Sequence, residues 1–555
     1  MTQRPPGNAE APLRFSILLV LASLVLYVLA FPNPVDVKGW GNLGWVALAP
    51  LFAVLPNLRP RAAALVGAFY GTALYALSNY WLATYHPAAL ILACAYAAFG
   101  MGILFPFISV VLRAFPRAGW AAVPALWLAY EFLRSQGFMG YPYCVLGYAF
   151  WRDPAMLGVA SLGGVWLVSL SALTVNAALG RVIGHMLRHK PPFMPDGNGR
   201  LKPTVSALRR SALPIAIALG SAAASLAVGA ASRTDWEPRD YLRAALVQPN
   251  RRARQRTLAD YRDMADRLIR VTEKARAGNP DLIVWHETAI VPPRGWHLRF
   301  RQDRETLDLV VMVDRYIREL DVPLLFGNSR AEPTGPDLRD RKDWNSAFLY
   351  SGGREIGRYD KMRLVPYSET FPLADELPRI AAAIKEEVGR FWEPGTELTV
   401  FQLGDARFSA PICFEDSFGD LTRAMAAAGA DFLVVLTDDS WARSVSMQYH
   451  HLGQSALRAA ELGIPVARAA NTGSTSLLGP DGLLLSELPP FTEGFLEVDI
   501  PLPPASFTGT LYRRIGDAVG LASLAAAAAW IAAALAVAVR RRRLGRAAYR
   551  PDSAG

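Results

Sequence analysis

Three residues of this 555-residue chain have the type and setting for nucleophilic chemistry. Cys413 ends the apolar run Ala406-Arg-Phe-Ser-Ala-Pro-Ile-Cys413, Glu287 follows Pro-Asp-Leu-Ile-Val-Trp-His, and Lys361 lies in Gly357-Arg-Tyr-Asp-Lys361-Met-Arg-Leu-Val-Pro-Tyr-Ser-Glu369. A free thiol titrates near about 8.5, so at neutral pH a base or a cation must be brought to it before it attacks. A carboxylate can take the thiol proton, and an ammonium can support the thiolate and the oxyanion of a tetrahedral intermediate. Each position also has a structural alternative: a buried packing cysteine, a loop carboxylate and a solvated lysine. Sequence spacing alone does not bring the three together.

The elements around them read as strand ends. The run Phe408 to Ile412 is β-rich, and an amphipathic helix is expected from Asp420 to Ala428, so Cys413 falls at a strand-to-helix turn whose backbone N–H groups can face a developing oxyanion. Further strands are expected at Leu242–Val247, Asp281–Trp285, Pro323–Phe326, Ala347–Tyr350, Leu398–Leu403, Phe432–Leu436, Ile464–Arg468 and Ser476–Leu478. Helices are expected at Arg256–Arg276, Gln302–Glu319 and Ser446–Glu461. Alternation of this kind over residues 232–512 predicts an α/β domain large enough for its own core.

The rest of the chain is apolar. Hydrophobic residues make up 52% and charged residues 19%, too apolar for a water-soluble enzyme of this size. Candidate spans are Phe15–Phe31, Leu43–Leu55, Ala62–Thr84, Ala88–Val111, Trp120–Phe132, Met156–Ile183 and Ala212–Ala231, with an eighth at Val519–Val539; the second and fifth are short, and the fifth carries Glu131. Every second loop is basic: Arg4 and Arg14, Arg59 and Arg61, Arg113 and Arg117, the cluster from Arg181 to Arg210, and Arg540 to Arg543. Basic loops stay in the cytoplasm, so both termini are expected there, with the insert on the outer side. No small-residue cleavage site precedes Asn33-Pro34, and the first segment reads as a retained anchor. The expected division is a seven-helix unit at 1–231, the catalytic insert at 232–512, and a last span with a basic tail at 513–555.

The net charge of +10 forms no stripe on a folded domain, and the terminal arginine run fits topology and anionic lipid better than nucleic acid. Cys94, Cys144 and Cys413 are widely spaced and odd in number, which excludes a disulfide framework. Adjacent His450 and His451 point apart on a helix and lack an acidic partner at zincin spacing, so neither a metal nor another cofactor is expected.

The three windows occur in the order found in the nitrilase superfamily, whose members use a Glu, Lys and Cys triad. With seven apolar segments before the insert and one after it, the chain resembles the apolipoprotein N-acyltransferases of Gram-negative bacteria. Asp438-Asp-Ser-Trp441, Leu457-Arg-Ala-Ala-Glu-Leu-Gly463, Arg468-Ala-Ala-Asn-Thr-Gly473, Glu131-Phe-Leu-Arg and Gly140-Tyr-Pro-Tyr143 add to the likeness. Two departures stand out: Phe414 where the family often has Tyr, and no Trp between Val247 and Asp260.

The resemblance implies a polytopic α-helical membrane domain of eight transmembrane helices plus an α-β-β-α sandwich. It also implies a monomeric enzyme of the inner membrane that takes an acyl chain from a phospholipid onto Cys413 as a thioester. The acceptor is the α-amino group of the S-diacylglyceryl cysteine that begins an apolipoprotein. Glu287 is then the base and Lys361 the oxyanion partner. Glu369, Phe414 and Glu415 support them, although Glu369 and Glu415 also suit ordinary ion pairs. Tyr141, Tyr143, Trp296, Phe371 and Trp441 are candidate lipid contacts, with Phe371 to Trp392 a candidate lid. Two rivals stay open: a membrane-tethered amidase, with water as acceptor, and a polytopic transporter, which the scarcity of charges in the spans disfavours.

Overall fold

A computed structural model of the chain describes residues 13–188, 193–195, 201–203, 205–251, 257–301, 303–336, 338, 341–371 and 373–547. The expected basic positions Arg4, Lys190 and Arg200, the helix start at Arg256 and the helix start at Gln302 lie outside them. The chain divides into two compact units: residues 1–136, 141–231 and 517–555 form one, and residues 137–140 with 232–516 the other.

The first unit is helical. Five helices among the described residues are long and apolar enough to cross a bilayer: Leu13–Ala30, Pro87–Ala114, Pro154–Leu187, Ser211–Ala231 and Ala518–Arg543. The other three expected segments differ. Leu43–Leu55 is not one helix but a 3₁₀ turn at Gly41–Trp45 followed by the six-residue helix Ala49–Val54, broken before Pro50 sets its first turn. Ala62–Thr84 becomes Pro60–Ser78, and Trp120–Phe132 becomes the 13-residue helix Ala122–Arg134. Small residues let helices approach closely: a Cβ on Gly67 or Gly71 would come within 2.2 and 2.4 Å of the carbonyl oxygens of Met101 and Ala97. Two buried charges here are held by internal hydrogen bonds. Arg134 donates to Tyr75 Oη (2.9 Å) and to the carbonyls of Tyr141 and Tyr143 (2.7 and 2.6 Å), while Glu131 accepts from Trp127 Nε1 and the Leu146 N–H (3.1 and 2.9 Å).

The second unit holds two six-stranded sheets. In one the strand order is Gly494–Leu502, Asp240–Gln248, Leu282–Val284, Leu324–Pro333, Arg341–Ser351, Arg354–Asp360. In the other it is Leu484–Leu488, Thr475–Leu478, Val466–Ala470, Phe432–Thr437, Ala406–Ser409, Phe401–Leu403. The strand Asp240–Gln248 lies against Val466–Ala470 and Thr475–Leu478, so the sheets face each other. Helices Leu258–Ala275 and Arg304–Glu319 cover the outer face of the first sheet: Met264, Leu268, Val271, Leu309, Val313 and Ile317 pack on Val247, Ile283, Trp285, Leu324 and Phe326. Helices Gly419–Ala427 and Val445–Leu462 accompany the second. The result is an α-β-β-α arrangement. Helix starts follow local chemistry. Thr257 and Asp260 form a capping box, Asp303 accepts from the Thr306 N–H, and Ser444 begins the helix that Gly463 ends in a left-handed conformation.

The first and last strands of this unit pair antiparallel along their whole length, Asp240 opposite Leu502 and Gln248 opposite Gly494. The unit also extends beyond the expected boundary at 512. Helix Leu511–Ile515 belongs to it, with Arg513 donating to the Ala426 carbonyl (2.8 Å) and Thr510 to that of Glu461.

Candidate active site

Glu287, Lys361 and Cys413 each follow the carboxyl end of a strand, and for Glu287 and Cys413 the strand is parallel to a neighbour, the kind of end where ligand sites form. Glu287 follows Leu282–Val284, which runs parallel to both its neighbours. Cys413 follows Ala406–Ser409, parallel to Phe432–Thr437, with Ile412 bridged to Leu436. Lys361 directly follows Arg354–Asp360 at the sheet's edge.

Cys413 sits at φ +52°, a left-handed conformation that costs a non-glycine residue energy and persists only where the surroundings hold it. The expected strand stops at Ser409, and a 3₁₀ turn, Cys413–Ser417, begins at the cysteine. The sharp turn leaves the side chain partly exposed.

Lys361 is fully buried, with its ammonium 3.2 Å from Glu287 Oε1 and 2.8 Å from Glu369 Oε1. Glu287 also accepts from Asn345 Nδ2 on Oε1 (2.8 Å) and from the Asp438 N–H on Oε2 (3.0 Å), and Glu369 Oε2 accepts from the Val365 N–H (2.8 Å). Burial disfavours the lysine's charge, but Glu287 and Glu369 overcome it and raise its pKa well above the ordinary value. The Cys413 thiol responds to the same groups. Burial and the Glu287 carboxylate push it well above its usual range, and Lys361 opposes them. The site therefore sets a thiol of raised pKa within the electrostatic reach of the Glu287 carboxylate and the Lys361 ammonium, groups of the types that base-assisted attack uses.

Glu415 fastens the lysine's loop to the cysteine's turn. Its Oε1 accepts from the N–H groups of Met362 and Arg363 (2.7 and 3.0 Å) and from Tyr359 Oη (2.8 Å), and its Oε2 accepts from the Ile412 N–H (2.8 Å). Burial raises its pKa against these donors. Phe414 is buried edge-on against Phe418, with ring centroids 4.9 Å apart.

The aromatic candidates divide. Trp296 is buried, packed on Phe300 and beneath the Arg341 guanidinium, and Tyr143 is buried in the helical unit, stacked on Tyr141; both serve internal packing rather than an open surface. Tyr141 is half-buried and donates to Asn79 Oδ1 (2.9 Å). Phe371 is buried between Tyr367 and Phe391, and Trp441 is half-buried on the turn after Asp438-Asp439. Within the stretch read as a lid, the helix Pro378–Val388 and the residues before it expose Leu373, Leu377 and Ile380.

Asn345 and the Asp438 backbone, which hold the Glu287 carboxylate, were not among the expected site residues. An asparagine inside the β-rich run Arg341–Ser351 is a signal, since strands disfavour it unless a partner is buried with it.

The family model Carbon-nitrogen hydrolase matches residues 243–508, and the model Apolipoprotein N-acyltransferase N-terminal domain matches residues 23–178. An apolipoprotein N-acyltransferase 1 of Treponema denticola is 30% identical over 522 residues, covering 91% of this chain and 94% of its own. The protein of the same name from Treponema pallidum is 33% identical over 517 residues, with 91% and 92% covered. An apolipoprotein N-acyltransferase of Geobacter metallireducens is 30% identical over 553 residues, with 96% and 97% covered.

Proposed function

The chain belongs to the apolipoprotein N-acyltransferase family, and from that premise we propose that it transfers an acyl chain from a membrane phospholipid, through a thioester on Cys413, to the N-terminal amine of a diacylglyceryl apolipoprotein. The observation that carries the chemistry is the buried Lys361 bridging Glu287 and Glu369 beside a cysteine held at positive φ.

In the first half-reaction Glu287 takes the thiol proton as sulfur attacks the ester carbonyl carbon. Lys361 and backbone N–H groups of the cysteine turn stabilise the oxyanion. The carbon–oxygen bond then breaks, and the lysophospholipid alkoxide leaves with the proton from Glu287. In the second half-reaction the α-amine attacks the thioester, Glu287 accepts its proton, and the carbon–sulfur bond breaks to give an amide and restore the thiol. Storing the acyl group on sulfur divides a difficult ester-to-amide exchange into two easier steps, a ping-pong course.

Lipid substrates account for a catalytic unit tethered by apolar helices at both ends. An acyl chain drawn into water loses about 0.8 kcal/mol per methylene. The alternating basic loops support eight apolar segments with cytoplasmic termini and the insert on the outer face of the inner membrane. A monomer suffices, since Glu287, Lys361 and Cys413 come from one chain.

The test is mass spectrometry of the purified protein after incubation with phospholipid, with Cys413→Ala and Cys413→Ser beside it, followed by addition of a diacylated lipopeptide. The expected result is an acyl adduct on wild-type Cys413, N-acylated lipopeptide and lysophospholipid, with all three lost in the alanine variant. Release of free fatty acid without N-acylated product would favour the amidase rival. Transfer surviving Cys413→Ala would overturn the assignment.

A further inference from the structure

Behind the cysteine turn lies a buried charge cluster to which the reaction above gives no role. His451, on helix Val445–Leu462, places Nδ1 2.9 Å from Asp439 Oδ1 and Nε2 2.9 Å from Asp416 Oδ1, with the Cys413 carbonyl oxygen 3.3 Å from the same Nε2. Asp416 Oδ2 accepts from Arg468 Nη1 (2.5 Å) and from Ser455, and Arg468 Nη2 lies 3.5 Å from Asp439 Oδ2. All of these side chains are buried. Ionised carboxylates only accept hydrogen bonds, so an imidazole held between two of them must donate from both nitrogens and carry a proton on each. Burial opposes that charge, yet Asp416 and Asp439 outweigh it against Arg468 and raise the histidine to about 9, while both aspartates are held below the usual carboxylate range. Two cations thus alternate with two anions, and removing one leaves a buried charge unpaired.

The cluster contacts the cysteine's turn directly and reaches Glu287 through one neighbouring residue. Asp416 belongs to the 3₁₀ turn that Cys413 opens, and the histidine reaches the Cys413 carbonyl itself. Asp439 adjoins Asp438, whose N–H holds Glu287, it accepts from the Thr437 hydroxyl (3.0 Å), and its charge adds to the rise of the Cys413 thiol. We propose that His451, bridging Asp416 and Asp439 and reaching the Cys413 carbonyl, is a positioning residue that holds Cys413 in its left-handed turn and ties that turn to the loop aligning Glu287. The proposal rests on the reading of Cys413 as nucleophile and Glu287 as base.

The test uses the full-length protein in detergent with phospholipid. In His451→Gln the rate of acyl-adduct formation on Cys413 is expected to fall about 100-fold, the cost of a small misplacement of reacting groups, with KM for phospholipid little changed. The pH profile of Cys413 alkylation by iodoacetamide is expected to move to higher pH, because Asp439, whose charge already raises the thiol, then lacks the imidazolium beside it. Packing alone does not move that profile. A folded His451→Gln variant with wild-type rate and profile would overturn the proposal. Nitrogen-15 spectra of the histidine-labelled wild type give a readout that does not depend on the variant's folding: a doubly protonated imidazole persisting at pH 8 is expected, and its absence would overturn the proposal too. Failure of the wild type to form the adduct would instead sink the underlying reading of Cys413.

Discussion

Lys361 lies nearer to Glu369 than to Glu287, at 2.8 Å against 3.2 Å. The ammonium is shared, so Glu287 is steadied by a cation whose charge a second carboxylate already claims in part. Together the two carboxylates keep Lys361 charged in a buried site.

Replacing Glu369 with Gln removes the competing charge and gives the ammonium wholly to Glu287, which weakens the base. Acyl-adduct formation in Glu369→Gln is expected to slow by about 10- to 100-fold, and in Glu287→Gln by about 1000-fold, the range for loss of a general base. Single-turnover mass spectrometry measures both. Equal rates for Glu369→Gln and wild type would show that Glu369 does not tune the pair.

Glu415 accepts four hydrogen bonds from two loops, and removing it leaves buried N–H groups without partners. Glu415→Ala is expected to lose about 3–5 kcal/mol of stability, a drop of about 10 °C in Tm, together with acyl-adduct formation. Thermal unfolding of the purified protein reads the first effect.

The clustered His451 sets a pH window for stability. Its pKa rises on folding from an ordinary 6.5 to about 9, so its contribution is complete below about pH 6.5 and disappears as the pH climbs through 9. The shift corresponds to about 3 kcal/mol. Wild-type Tm is expected to fall between pH 6.5 and 9, and His451→Gln to lack that fall. A variant showing the same decline would assign it to another group.

Gly327 lets strand Leu324–Pro333 approach the Glu287 turn: a Cβ there would meet the Thr288 nitrogen at 2.4 Å, the His286 oxygen at 2.6 Å and Glu287 Cα at 2.7 Å. All three are backbone atoms with no room to yield. Gly327→Ala is expected to displace Glu287 and abolish adduct formation, while Gly335→Ala, with open space around its Cβ position, leaves the rate unchanged. Parallel adduct assays separate the two.

How far the fold was legible depended on how local its causes were. The runs at Phe432–Thr437 and Val466–Ala470 lie within a residue or two of their expected bounds because they are mostly apolar, as strands covered on both faces are. The strands Arg354–Asp360, Leu484–Leu488 and Gly494–Leu502, whose apolar residues are interrupted by charged or polar ones and which are only partly buried, lie outside the expected set; tertiary pairing makes them strands. Leu43–Leu55 misled in the other direction, since hydropathy reports burial in apolar surroundings but not helical continuity. At the site, Glu287, Lys361 and Cys413 stood out through their neighbours in sequence. Asn345, Thr437 and His451 did not, because their roles arise from strand register and helix packing, which bring partners together from over 100 positions away in the case of Asp438 and Glu287.

The pairing of the unit's first and last strands has a practical meaning. Adjacent strands lie about 4.8 Å apart, so the chain comes into this domain and leaves it at nearly one spot. A domain built so is an insertion cassette: a few glycines joining Leu502 to Asp240 would close it into a ring, and new termini cut in a remote loop would make a circular permutant freed from its anchors.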